Sequence, residues 1–123
     1  IVDNGGLKTA IIDASFTCHM PDCLEMPYRP KITQGHEDAS IGKFRYRLGG
    51  VSCLAGDFLE AYSFDQPLNI GDEIEFLDMI HYTMVKTTTF NGVHHPAIGI
   101  QQKNGDFRLI KEFGYEDYKN RLS

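Results

Sequence analysis

Tryptophan is absent from these 123 residues, cysteine occurs only three times, and no apolar run approaches the length of a membrane span. A transmembrane helix needs about 20 consecutive apolar residues, so none is expected. No basic-then-apolar leader opens the chain, and a soluble, cytoplasmic domain is the expectation. An odd number of cysteines with no CxxC pair argues against a disulfide framework and for reduced thiols. Base is scarce too: twelve Lys and Arg face seventeen Asp and Glu, for a formal charge of -5. The basic residues form no stripe, so nucleic acid and anionic membranes are poor partners and cationic ligands are favoured. Repeats, low-complexity tracts and linkers are also missing. A chain of 13.9 kDa then reads as one domain, able to bury roughly two-thirds of its unfolded surface.

What is present is mostly strand pattern. Leu7 to Ala14 (LKTAIIDA) is an apolar, β-branched run of buried-strand length, and Lys43 to Leu48 (KFRYRL) alternates at period two. Glu73 to Leu77 (EIEFL) alternates again. Ala97 to Gln101 and Phe107 to Lys111, separated by Asn104-Gly105, predict a β-hairpin whose Asn-Gly pair supplies positive φ angles. Ile1 to Gly6 reads as a strand end entering a glycine turn with nothing before it to pair with, which suggests a piece of something longer. Tyr82 to Thr88 and Tyr115 to Leu122 predict short helices. The expected fold is a mainly β single domain of about six to eight strands, a sandwich or distorted barrel.

Chemistry concentrates in three segments. Cys18-His19-Met20-Pro21-Asp22-Cys23-Leu24-Glu25-Met26-Pro27-Tyr28-Arg29-Pro30 crowds a carboxylate, an arginine and prolines directly after an apolar strand pattern, as at the mouth of a site. Gly49-Gly50-Val51-Ser52-Cys53-Leu54-Ala55-Gly56-Asp57 sets a cysteine and an acid in a slim loop. Asp78-Met79-Ile80-His81-Tyr82-Thr83 adds a tyrosine after a strand. Each has a plainer reading: Asp22 as a turn former, Arg29 as a surface residue, Cys53 as a small core hydrophobe, Tyr82 as packing with a satisfied hydroxyl, Glu25 as structural. Cys18, His19, Cys23, His36 and the His94-His95 pair offer zinc-type donors. Neighbours such as Cys18 and His19 point to opposite sides of an extended strand, however, and no metal is expected.

Together the three segments resemble the C-terminal β-domain of the fold-type III, pyridoxal-phosphate-dependent decarboxylases, the ornithine and diaminopimelate decarboxylase-like family. The His-Met-Pro-Asp sequence is similar to the branch that converts carboxynorspermidine and carboxyspermidine to norspermidine and spermidine. The resemblance runs the length of the chain. It implies that Asp22 binds the distal amine of the substrate and that Arg29 contacts a substrate carboxylate. Cys53 is then the catalytic residue, entering the partner subunit's site and donating a proton near the α-carbon, with Asp57 near the dimer interface. Tyr82 donates a hydrogen bond to the phosphate of pyridoxal 5′-phosphate. One departure stands out: Leu54 follows the cysteine where the ornithine and diaminopimelate branches carry an acid, which argues against both of those substrates.

The resemblance also implies what these 123 residues do not supply. None of the lysines has the setting of the one that carries the cofactor, and that lysine and the phosphate cradle lie on an N-terminal (β/α)8 barrel in the family. The expectations are a carboxylated polyamine as substrate, a homodimer, the barrel of the same protein as partner, and no turnover from this piece alone. A diaminopimelate or other basic amino-acid decarboxylase domain, and a non-catalytic β-domain that binds a partner or small cation, remain as alternatives.

Overall fold

The structure, a computed structural model, describes residues 1–26 and 28–123. β1 (Val2–Asn4) and β2 (Leu7–Ile11) form an antiparallel hairpin, so the first strand finds its partner within the chain. β2 runs parallel to β3 (Phe44–Gly49), which pairs antiparallel with β4 (Phe58–Phe64), giving a four-stranded sheet in the order β1-β2-β3-β4. Parallel neighbours cannot be joined by a tight turn. The connection from β2 to β3 therefore crosses the sheet and carries two short helices, α1 (Phe16–His19) and α2 (Pro21–Glu25).

The core forms under this crossover. Ala10, Tyr46, Leu48, Leu59, Tyr62 and Phe64 from the sheet pack with Phe16, Met20, Cys23 and Ile32. Aromatic edges meet faces: Phe76 lies 5.9 Å from Phe16 and 6.4 Å from Tyr62, ring centroid to ring centroid. Phe16 is fully buried, and removing a core aromatic of this kind costs about 3–5 kcal/mol, which makes α1 the anchor of the crossover.

Beyond β4 come α3 (Tyr82–Val85), a 3-10 turn at Phe90–Gly92, the hairpin of β5 (Ile98–Gln101) and β6 (Phe107–Lys111), and α4 (Tyr115–Leu122). The β5–β6 pair is a separate two-stranded sheet. The mainly β class with short helices, the hairpin, and helices at Tyr82 and Tyr115 all match the sequence pattern.

Several details differ from it. The strand from Leu7 stops at Ile11 and is half exposed, with only Ala10 buried. EIEFL keeps its alternation, Ile74 and Phe76 packing on the core, yet forms no ladder. Only Phe76 bridges Ile32, because the Glu75 N–H goes to the Gln34 side chain instead of a backbone carbonyl. β4 was not signalled by FLEAYSF: an extra residue between Leu59 and Tyr62, opposite the step from Leu48 to Tyr46, breaks its period-two pattern, and Tyr62, Ser63 and Phe64 are all buried. In the β5–β6 turn only Gly105 takes a positive φ, +90°; Asn104 instead accepts the Asp106 N–H through its side chain.

Candidate functional site

The segment around Asp22 is helical, not the open loop its prolines suggested. Ser15 caps α1 by accepting the Cys18 N–H at 3.0 Å, and Pro21 opens α2, where its missing N–H costs nothing. This places Asp22 in the first turn of α2 with 2% of its surface exposed. Its Oδ2 accepts two hydroxyl hydrogens, from Thr83 on α3 and from Tyr28, both at 2.8 Å. Its Oδ1 is buried with no partner among the described residues. Glu25 on the same helix forms an ion pair with Lys86 at the end of α3, a structural tie as its sequence context suggested. Burial of the Tyr28 hydroxyl, and then its bond to Asp22, push that phenol's pKa far up, so it remains a donor. Burial also raises the Cys23 thiol, assisted by the Asp22 charge and opposed by Tyr28. Cys23 is a protonated core residue.

Asp57 lies 4% exposed within its own chain. Oδ2 accepts from the Ser15 hydroxyl (2.9 Å) and the Ser52 N–H (3.0 Å), and Oδ1 accepts the Thr17 N–H (2.9 Å). Burial works against the charge, yet the bonds from Ser52, Thr17 and Ser15 outweigh it and hold the carboxyl below its ordinary value. The carboxylate thus faces inward and fastens the loop 50–57 to the start of α1. Gly50 is required here, because a Cβ at that position would come within 2.6 Å of the Asp57 carboxyl carbon. Cys53 sits exposed on the same loop, its backbone N–H donating to Asn91 Oδ1 at 3.0 Å. Asn91 holds a positive φ of 59° in the 3-10 turn.

The two carboxylate centres are joined. Cys18 and His19, side by side on a helix, both face the segment 88–94. The Cys18 thiol donates to the Phe90 carbonyl, the Cys18 carbonyl accepts the Thr88 N–H, and His19 Nε2 meets the His94 carbonyl at 2.7 Å. Since His19 Nδ1 accepts the Ser15 N–H, its proton lies on Nε2. A chain of contacts therefore runs from Asp22 through Thr83 and α3 to Asn91, the Cys53 loop, Asp57 and back to α1. Tyr82, 66% exposed, opens α3 next to Thr83. Arg29 lies elsewhere: its Nη1 donates to the carbonyls of Glu37 and Ala61, tying the Pro30 segment to β4.

Thr83 and Asn91 carried no signal in the sequence, because a hydroxyl or amide that serves a residue 61 or 38 positions away has no local pattern, whereas Tyr28 serves Asp22 from within the same segment. A cavity of about 890 Å³ is lined by residues 10–14 and 68–76 among others, and none of Asp22, Cys53, Asp57 or Tyr82 lines it. Among the described residues no group of His, Cys, Asp or Glu converges as metal ligands, and no helix is long and apolar enough to cross a membrane.

No protein-family model matches the chain. It is 66% identical over 122 residues to carboxyaminopropylagmatine decarboxylase of Synechocystis sp., which covers 99% of this chain and 31% of that protein. It is also 43% identical over 124 residues to carboxynorspermidine/carboxyspermidine decarboxylase of Campylobacter jejuni, covering 93% of this chain and 32% of the relative. The chain is homologous to one part of these decarboxylases. A crystal structure of carboxynorspermidine decarboxylase from Campylobacter jejuni, complexed with norspermidine, superposes with a TM-score of 0.90 at 40% identity, over 98% of this chain and 35% of that one. The chain spans about a third of the length of the curated relatives it matches.

Proposed function

We propose that the protein to which these residues contribute is a pyridoxal-phosphate-dependent decarboxylase of polyamine biosynthesis, cytoplasmic and homodimeric, acting on a carboxylated polyamine. The observation that carries the substrate class is the likeness along nearly the whole chain to decarboxylases named for carboxylated polyamines, at 66% and 43% identity. On this reading Asp22 meets the distal cation of the substrate once the groups covering its carboxylate move aside, and the charge-assisted bond fixes the register of a flexible chain. The cation is an ammonium in carboxynorspermidine and carboxyspermidine and a guanidinium in carboxyaminopropylagmatine; the higher identity to the Synechocystis relative favours the guanidinium.

The remaining roles follow the resemblance. The cofactor supplies an electron sink for the carbanion left by loss of carbon dioxide. Its lysine and phosphate cradle belong to an N-terminal barrel of the same protein, so these residues alone do not turn over substrate. Tyr82 fits a phosphate contact, since its exposed phenol donates a hydrogen bond without adding charge. Cys53 donates the proton to the substrate α-carbon in the partner subunit's site, a role compatible with an exposed thiol on an anchored loop. Asp57 contributes to the interface indirectly, by holding that loop. Arg29 binds a substrate carboxylate through the nitrogens not engaged by Glu37 and Ala61.

The test is turnover of the complete protein, loaded with pyridoxal 5′-phosphate, on carboxynorspermidine, carboxyspermidine, carboxyaminopropylagmatine, ornithine and diaminopimelate. Release of the corresponding polyamine from one or more of the first three is expected. Activity confined to ornithine or diaminopimelate would overturn the substrate class, and a loaded protein inert towards all five would overturn the reaction.

A further inference from the structure

We propose that Thr83 is a positioning residue for the cofactor contact: by donating to Asp22 it fixes α3 on α2, and so holds Tyr82 where its phenol meets the phosphate of pyridoxal 5′-phosphate. The inference rests on the Tyr82 reading above and adds what places that side chain; it needs nothing from outside to reach Asp22. α3 is four residues long and no side chain caps its start. A helix that short does not hold its place in water through its own backbone bonds, so its packing must fix it. Tyr82, Met84 and Val85 are 66%, 43% and 80% exposed, whereas Thr83 is 4% exposed and is the buried residue of the element. The side chain that α3 inserts into the fold is therefore polar, and a hydrogen bond, more than apolar burial, secures the helix.

That bond suits the task. The Thr83 hydroxyl donates to Asp22 Oδ2 at 2.8 Å, with the Met79 sulfur a weaker acceptor at 3.8 Å. A bond to a charged oxygen, buried away from water, is directional and stronger than one between neutral groups. Two other ties reach the same region: Lys86 pairs with Glu25 of α2, and the Thr88 N–H donates to the Cys18 carbonyl of α1 at 2.8 Å. The ion pair is partly exposed on both sides, so screening leaves it weak. The Thr88 bond lies past the C-terminal end of α3. Tyr82 adjoins Thr83 at the N-terminal end, so the Asp22 bond is the tie that bears on its phenol.

The experiment titrates the apo form of the complete protein with pyridoxal 5′-phosphate, in wild type, Thr83→Val, Thr83→Ser, Lys86→Met, Tyr82→Phe and the double variant Tyr82→Phe/Thr83→Val. Thr83→Val keeps the shape and deletes the bond, so the cofactor Kd is expected to rise roughly 3- to 10-fold. The phosphorus NMR signal of the bound cofactor should move in Thr83→Val as it does in Tyr82→Phe. Thr83→Ser restores the donor and should recover most of the affinity. Lys86→Met removes only the exposed pair and should change Kd by less than about twofold. On the Tyr82→Phe background Thr83→Val should add almost nothing, because both lesions act through one contact.

A lowered Tm for Thr83→Val with the cofactor Kd and phosphorus signal unchanged would overturn the proposal, since a purely structural bond gives that result. Equal losses in the Val and Ser variants, an equal loss in Lys86→Met, or additive losses in the double variant would overturn it too. If Thr83→Val does not accumulate, Thr83→Ala, less bulky in the same space, is judged by the same criteria. The two layers separate cleanly. An unchanged Kd in Tyr82→Phe removes the phosphate contact and the proposal with it, whereas a raised Kd there with wild-type affinity in the Thr83 variants removes only the positioning.

Discussion

Asp22 and Asp57 are both buried acids, and their surroundings differ: Asp22 takes two hydroxyl donors on one oxygen. Asp57 has both oxygens filled by donors from its own chain, so it is structural and its charge belongs to the folded state. Because its folded pKa is depressed, its contribution is fully present above the unfolded carboxyl pKa and is lost as pH falls through the folded one. Asp57→Asn is expected to cost about 1–3 kcal/mol at neutral pH, from mispaired donors at Ser15, Thr17 and Ser52. The loss should shrink on acidification, which denaturation curves at a series of pH values will show; a pH-independent difference would assign the effect to packing. Tyr82 offers a contrasting test. Tyr82→Phe deletes a neutral hydrogen bond, so affinity for pyridoxal 5′-phosphate in the complete protein should fall by about 0.5–3 kcal/mol. Cofactor titration, run beside substrate competition, should show the first changed and the second not.

Among the elements, the loop 50–57 is the one whose shape matters most to the proposed chemistry. It is pinned at one end by Asp57 and Gly50, and near its tip by the bond from Cys53 N–H to Asn91. Asn91→Gly preserves the positive φ while removing the acceptor. It should lower kcat of the complete protein several-fold with little change in KM, since losing one hydrogen bond of about 1 kcal/mol loosens the thiol rather than the substrate contacts. Asn91→Asp, which keeps both the acceptor and tolerance of that φ, should retain most of the activity. Equal losses in the two variants would show that the amide serves another purpose.

For the molecule as a whole, the question is which groups must come from outside these residues. The β5–β6 hairpin exposes Ile100, Phe107, Leu109 and Ile110 and pairs with no other strand among the described residues. An isolated two-stranded sheet is marginally stable in water. In the 123-residue chain expressed alone, its amides should exchange far faster than those of the four-stranded sheet. Protection of the hairpin equal to that of β3 and β4 would show that it is stable without additional cover. Sharing of sites is testable by complementation. Mixing a complete enzyme inactivated at Cys53 with one inactivated at its cofactor lysine should restore activity. A two-fold dimer with crossed contributions yields one intact site per heterodimer. If Cys53 serves its own subunit, the mixture stays dead.

The primary sequence was sufficient for the β class, the hairpin about Asn104-Gly105 and the helix from Tyr115 to Leu122. These rest on local periodicity and turn chemistry, which neighbouring residues set. Only the tertiary structure decided that Asp22 is buried on a helix with one oxygen unpartnered among the described residues, that Asp57 faces inward, and that Arg29 spends one nitrogen on two backbone carbonyls. It also revealed β4, hidden in sequence by the bulge within it. In each case the deciding partner lies far along the chain: Thr83 for Asp22, Ser15 and Thr17 for Asp57, Ala61 for Arg29. A polar group's role is fixed by which donors and acceptors reach it once the chain has folded, and those partners lie beyond any local pattern.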